Sequence, residues 1–260
     1  YDNGLNVFSF GMMGANLDDI GQSIAHYIKV KNPDFNPKDI LDTGCTIGHN
    51  TLAWKDAYPN ANVTGIDVAA PCLRYAHARA GSQDKVVHFK QMNATQLGFE
   101  DNSFDVVFSS MFLHELPLKD IRSALKEAHR VLRPGGMMVH MELPANKDLE
   151  PYDGFYLDWD AYYNNEPYYK KFRDQDYDQL CLEAGFKGLF LSYELDGFRD
   201  FDDYSRVDMG VPVVGFGPQI ISQDFDDSFL PNVGVVYDYS DTEQLFASYS
   251  ENFSLPREAD

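Results

Sequence analysis

Ile40-Leu41-Asp42-Thr43-Gly44-Cys45-Thr46-Ile47-Gly48-His49-Asn50 carries a strand, a carboxylate, a glycine turn and a helix start in one short run. Asp42 reads as the end of a buried strand. Gly44 and Gly48 let the backbone come close to a ligand, and a helix from about Asn50 aims its first N–H groups at the same point. The next apolar run, Ala61 to Asp67, ends in a second acid and is followed by Val68. In an open parallel sheet an acid so placed accepts hydrogen bonds from both hydroxyls of a ribose. The two turns together point to an adenosine-containing ligand.

Glycine spacing separates the two ligand classes that use such turns. A dinucleotide fold needs Gly-x-Gly-x-x-Gly, whereas here Gly44 and Gly48 are spaced Gly-x-x-x-Gly with an acid two residues before the first. Residue by residue, Leu41 to Gly48 resembles the first motif of class I S-adenosylmethionine-dependent methyltransferases, Leu-Asp-x-Gly-Cys-Gly-x-Gly, with Thr46 in place of the middle glycine. A threonine is accommodated there if its backbone keeps a negative φ.

The resemblance continues along the chain in the family's order. A helix is expected from about Ala70 to Ala80, then a strand Val86-Val87-His88-Phe89, then Asn93-Ala94 where the family has Asp-Ala. That acid reads the adenine amine in the family, a task the Asn93 carbonyl oxygen can also perform. Phe104 to Ser110 reads as the central fourth strand and runs into Met111-Phe112-Leu113-His114-Glu115-Leu116-Pro117, which resembles the fourth motif. Ile121, Leu125, Ala128 and Leu132 recur at helical spacing over Leu118 to Leu132, Arg133-Pro134-Gly135-Gly136 stops the helix, and Met137 to Leu143 is a fifth strand.

Over roughly residues 40 to 143 the resemblance implies an α/β fold, doubly wound, with a mostly parallel seven-stranded sheet and helices on both faces. It also implies that Asp42, Gly44, Cys45, Thr46, Gly48, Asp67, Val68, Asn93, Ala94 and Ser109 hold S-adenosylmethionine. The chain reads as one domain in four parts: an N-terminal helical lid (1–38), the cofactor-binding core (39–145), an aromatic cap insert with its helix (146–185), and closing strands with an acidic tail (186–260). For the sixth strand Phe186 to Leu195 is expected, and for the seventh either Val211 to Phe216 or Val233 to Tyr239. Lys171 to Ala184 reads as one helix capped by Gly185.

Composition narrows the partners. A formal net charge of −20 repels phosphate backbones and anionic lipid. Residues 196 to 260 carry eleven Asp and three Glu against Arg199, Arg206 and Arg257. The strand-four exit lacks the Asn/Asp-Pro-Pro-aromatic turn by which amino-methylating enzymes of nucleic acids and proteins in this fold are recognised. No run of 18 apolar residues is present, so no membrane span is expected. The chain opens on Tyr1 with no signal peptide, as if a leading segment had been removed. Cys45, Cys72 and Cys181 stand in no metal-binding spacing, which fits a reduced cytoplasmic setting.

The insert after strand five is rich in rings: Tyr152, Phe155, Tyr156, Trp159, Tyr162, Tyr163, Tyr168 and Tyr169 lie between Pro151 and Lys170. Either they form a lid over a small organic molecule, with Tyr152, Tyr156, Trp159 and Tyr163 as its contacts, or they pack the insert against the sheet or form a homodimer interface. At the front, Met12 and Met13 precede an amphipathic helix, Leu17 to Val30, and are either pocket residues or packing.

The chemistry implied is methyl transfer to a small-molecule oxygen or nitrogen. His114, just past strand four, is the candidate base, with Glu115 beside it to orient the substrate or the imidazole; the alternative is that His114 fills core space. His49 lies next to the cofactor site. His140 and Glu142, two apart on strand five, share a face and are read together as candidates for the pocket floor. No metal is expected, because Ser109, Ser110 and Met111 stand where metal-dependent members place carboxylates. Two other readings stay open: a methyltransferase-like protein that binds the cofactor for a different reaction, and a non-catalytic partner subunit.

Overall fold

Alternation along the central strands decides the architecture. β1 (Asp39–Thr43) is buried on both faces: Ile40 packs with Val106 and Phe108 of β4 (Phe104–Ser110) on one side, and Leu41 packs with Val107 on the other. A strand that buries both sets of side chains must be covered twice. In the computed structural model, which describes residues 2–8, 13–142, 144–149, 151–186, 232–240 and 243–250, helices supply that cover. α2 (Asp19–Lys31) and α3 (His49–Ala57) close the first face through Ile24, Ala25, Ile28 and Trp54, while α5 (Leu118–Val131) closes the second through Ala124, Ala128 and Val131.

The main sheet has the order β3-β2-β1-β4-β5, with β2 at Asn62–Asp67, β3 at His88–Gln91 and β5 at Leu132–Met141. All its pairings are parallel. α4 (Ala70–Ser82) connects β2 to β3, and α1 (Asp2–Phe8) precedes the rest. The chain moves outward from β1 to β3 and then crosses to β4, so the order reverses between β1 and β4. Ligands of such sheets bind outside the carboxyl ends of the strands at that reversal.

The turn expected at Arg133 to Gly136 is part of β5. Leu132 pairs with Phe104 and Met137 with Val106, so the intervening residues bulge out of the ladder, with Gly135 at φ +86°.

Three expectations require correction. Among the described residues the main sheet has five strands, not seven. Val233 to Tyr239 does fall in a strand, β6 (Asn232–Ser240), but it pairs antiparallel with β7 (Glu243–Ser250) as a two-stranded sheet of its own. Most of the expected sixth strand, and all of Val211 to Phe216, lie outside the described residues. The helix expected from Lys171 to Ala184 is two, α7 (Tyr169–Arg173) and α8 (Tyr177–Ala184), because Asp176 caps the second by accepting a hydrogen bond from the Gln179 N–H. Gly185 ends α8 at φ +107°, as the sequence leads one to expect.

Candidate active site

The turn after β1 is held by the end of β2. The Ile66 carbonyl accepts hydrogen bonds from the Gly44 N–H (2.9 Å) and the Cys45 N–H (3.0 Å). Gly44 is at φ +72°, and a Cβ there would lie 2.4 Å from the Phe112 ring, so both conformation and space demand glycine. Thr46 does not keep the negative φ expected of it. It lies at φ +46°, in the left-handed region that β-branched residues avoid. Its N–H there reaches Asp67 Oδ2 at 2.9 Å, while the Ala69 N–H donates to Oδ1 at 2.8 Å. Two backbone donors thus fix the carboxylate, and each oxygen keeps further acceptor capacity.

Asp42 is fully buried and accepts a 2.6 Å hydrogen bond from the Thr51 hydroxyl. Burial pushes its carboxyl up to about 7, the Thr51 hydroxyl opposes the rise, and the Asp67 charge adds to it. Burial, with the charges of Asp42 and Asp67, pushes the Cys45 thiol far above its usual range, so Cys45 is no nucleophile.

His114 sits in a short 3-10 turn, Leu113–Glu115, just beyond β4. Its Nδ1 lies 2.8 Å from Glu142 Oε2, and the other oxygen of that carboxylate accepts from the N–H groups of Phe112 (2.7 Å) and Leu113 (2.5 Å). The fixed Glu142 therefore sets the orientation of the imidazole, whose Nε2 lies 3.9 Å from Glu115 Oε1. Burial lowers the His114 pKa, but the hydrogen bond and charge of Glu142, with the charges of Glu115 and Glu166, outweigh it and raise the value overall.

These two constellations line one cavity of about 680 Å³ at the carboxyl ends of β1, β2 and β4. Asp42, Gly44, Cys45, Thr46, His49, Asp67, Val68, Asn93 and Ala94 line one part; His114 and Glu115 line another. Asn93 is exposed, and its Oδ1 already accepts the Thr95 N–H at 2.9 Å, with a second lone pair left for a ligand. Gly48 caps α3 from the left-handed region and does not itself line the cavity. From the N-terminal segment come Leu5, Met13 and Ile20; Met12 lies outside the described residues.

Ser109 is a correction. It is wholly buried and hydrogen-bonds His140 Nδ1 at 2.5 Å, while the adjacent Ser110, on the other face of the strand, lines the cavity. His140 and Glu142 do not form the floor either. His140 is held neutral by burial, which lowers its pKa to about 4, and Glu142 stands behind His114.

The aromatic lid is the second correction. None of Tyr152, Tyr156, Trp159 and Tyr163 lines the cavity. Leu157 and Ala161 turn α6 (Pro151–Tyr163) onto the body, which leaves Tyr152, Trp159 and Tyr163 on its exposed side, where the Trp159 ring stacks on Tyr156 and meets Tyr163 at a tilt. The insert meets the cavity through Asp160, Asn164, Glu166 and Tyr169 instead. The spacing of Asp160 and Asn164, i and i+4, was the sequence signal for that inward face. Among the described residues no group of three or more His, Cys, Asp and Glu is placed to hold a metal ion, and no helix is long and apolar enough to cross a membrane.

Comparison with known proteins agrees with this geometry. Residues 40–136 match the methyltransferase domain family. A demethylmenaquinone methyltransferase of Lactobacillus johnsonii is 29% identical over 202 residues, covering 73% of this chain and 78% of its own. The Staphylococcus aureus enzyme of that name is 42% identical over 117 residues, 42% of this chain and 46% of its own. The one from Thermus thermophilus is 37% identical over 108 residues, 42% of this chain and 48% of its own, so the chain spans about half the length of the latter two relatives. Among solved structures, a proposed O-methyltransferase of Nostoc punctiforme superposes with a TM-score of 0.53 at 22% identity, over 68% of this chain and 52% of that one. A proposed methyltransferase of Bacillus halodurans gives 0.52 at 20%, over 74% and 92%. Residues 40–136, from β1 into β5, are thus similar to a methyltransferase domain.

Proposed function

We propose that this chain transfers the methyl group of S-adenosylmethionine to an oxygen or nitrogen of a small-molecule acceptor, without a metal. The observation that carries the reading is a single cavity with a backbone-fixed ribose-type acid, Asp67, in one part and the Glu142-oriented His114 in another. Asp67 would take the ribose hydroxyls and Asn93, with Ala94, the adenine edge. Asp42 and the backbone from Gly44 to Thr46 would face the amino-acid portion. When bound, the cofactor supplies a methyl group on a positively charged sulfur, already activated for displacement.

The chain's own part is positioning and proton handling. Placement of the reactants accounts for on the order of several kcal/mol of such a barrier. His114 Nε2 would accept the acceptor's proton, with Glu142 stabilising the imidazolium that forms. Leu5, Met13 and Ile20 of the N-terminal segment would close the apolar side as a lid. The three free thiols fit a cytoplasmic setting. The relatives named for demethylmenaquinone methylation support an acceptor of small-molecule type.

Calorimetric titration with S-adenosylmethionine, S-adenosylhomocysteine and NAD tests the reading. Micromolar binding of the two sulfur compounds and none of NAD is expected, and Asp67→Ala should weaken both by tenfold or more, about 1.4 kcal/mol. Binding of NAD alone, or full affinity in Asp67→Ala, would discard the assignment.

A further inference from the structure

α6 carries a wide aromatic stripe on the side away from the body. At about 100° per residue, Tyr152, Phe155, Tyr156, Trp159, Tyr162 and Tyr163 fall within an arc of about 120°, opposite Leu157 and Ala161, which dock the helix. Asp153 and Asp160 flank the arc on one side and Asp158 on the other, and no charged residue stands inside it. A stripe of this width is what a helix ordinarily turns toward a core. Here the rings at 152, 155, 159, 162 and 163 are between 48% and 80% exposed.

The patch is already built. Trp159 stacks on Tyr156 with ring centroids 6.1 Å apart, Tyr163 meets Trp159 at 4.8 Å, and Tyr162 meets Tyr163 edge to face at 5.2 Å. An aromatic side chain offers about 150–250 Å², so at these exposures the five outer rings show roughly 650 Å² together. The largest apolar patch of an ordinary monomer is about 300–600 Å². A stable interface of standard size buries about 800 Å² on each partner and about 1,200–2,000 Å² in all, and two such stripes face to face would bury roughly 1,300 Å².

We propose that the stripe is the interface of a homodimer, in which α6 of one copy packs on α6 of a second copy about a two-fold axis. Such a contact requires one patch to complement itself, which rings do by stacking and by edge-to-face packing. Nothing within the arc calls for a charged partner, and the flanking aspartates with a net charge of −20 repel an anionic surface. The same charge makes two copies repel each other. Salt screens that repulsion and leaves the ring contact intact, so the dimer should tighten as salt rises. The insert also lines the cavity through Asp160, Asn164, Glu166 and Tyr169, so pairing would brace one wall of the site from outside.

The two tryptophans of the chain make the stripe directly readable, because Trp54 is fully buried and Trp159 lies on the patch. Sedimentation equilibrium of the full chain is run over a dilution series at low and high sodium chloride, with acrylamide quenching of tryptophan fluorescence on the same samples. A dimer of micromolar or tighter dissociation constant is expected, tighter in high salt, with Trp159 becoming several-fold more quenchable as dilution passes the same midpoint. The double variant Phe155→Glu with Tyr162→Glu should be a monomer with the wild-type circular dichroism and a quenchable Trp159 at every concentration. If that variant fails to fold, the wild-type dilution series decides alone. A wild-type monomer throughout, a dimer whose Trp159 is equally quenchable at all dilutions, or a folded variant that still dimerises would overturn the proposal. So would a monomer whose Trp159 is shielded by its own chain, or shielded only on addition of phosphatidylcholine vesicles. None of these outcomes bears on the methyltransferase reading.

Discussion

At His114, burial and charge pull in opposite directions, and charge wins. Desolvation lowers the pKa, yet the Glu142 carboxylate at 2.8 Å, with Glu115 and Glu166, lifts it above the ordinary 6.5. A base must be neutral to work, so the rising limb of kcat/KM should lie above pH 6.5. Stability has the opposite sign: a raised folded-state pKa contributes stability that is full below the unfolded value and lost as pH rises through the folded one. Glu142→Gln keeps an acceptor for Nδ1 and removes the charge. The limb should move to lower pH, and a limb that stays put would remove His114 as the base. Thr46 offers a second test. An L-residue in the left-handed region costs about 1–2 kcal/mol, and glycine in its place gives back about 0.5–1 kcal/mol in chain entropy. Thr46→Gly should therefore stabilise the chain by about 0.5–1 kcal/mol, read from the urea midpoint at unchanged slope.

Between elements, α2 approaches α3 closely beside the site. A Cβ on Gly21 would lie 2.9 Å from the Ala53 Cβ and 3.0 Å from the Asn50 Cα, and the Gly21 N–H donates to Asn50 Oδ1 at 3.1 Å. Gly21→Ala must separate the helices and should cost about 1–3 kcal/mol in urea unfolding. Because Ile20 and Asn50 both line the cavity, S-adenosylhomocysteine affinity should fall in the same variant; wild-type values of both would mean that the helices have slack. Elements of this kind were readable where local pattern and burial agree. β1, β2 and β4 are apolar runs ended by turn residues, and Ile121, Leu125 and Ala128 mark the inner face of α5. α6 misled because its rings outnumber its inward residues, and it is Leu157 and Ala161, with Tyr156 packed beside them, that dock while Tyr152, Phe155, Trp159, Tyr162 and Tyr163 face out. Glu142 was read as pocket floor, and its hold on His114 was hidden for a different reason. It meets His114 across 28 residues of sequence, and only the parallel pairing of β4 with β5 brings the two together. After residue 186 glycines and aspartates erase any period, so the number of strands in the sheet was not legible there.

Over the whole molecule, 41 acids against 21 bases surround a cavity that itself holds acids and no Lys or Arg among the described residues. Such a field attracts cations and is screened within about 8 Å at physiological salt and about 3 Å at 1 M. The two sulfur ligands differ by one charge in the same skeleton: S-adenosylmethionine carries a net positive charge at neutral pH, and S-adenosylhomocysteine is neutral overall. Their hydrogen bonds to Asp67 and Asn93 would be the same, so any difference in salt response isolates the field. Raising sodium chloride should weaken S-adenosylmethionine several-fold and S-adenosylhomocysteine much less, bringing the two affinities together, as calorimetry across a salt series would read. Removing Glu166 as glutamine should flatten the first slope and leave the second alone. Parallel slopes for the two ligands would mean that the acids are neutralised in place, and selection for a positive ligand would then lose its electrostatic basis.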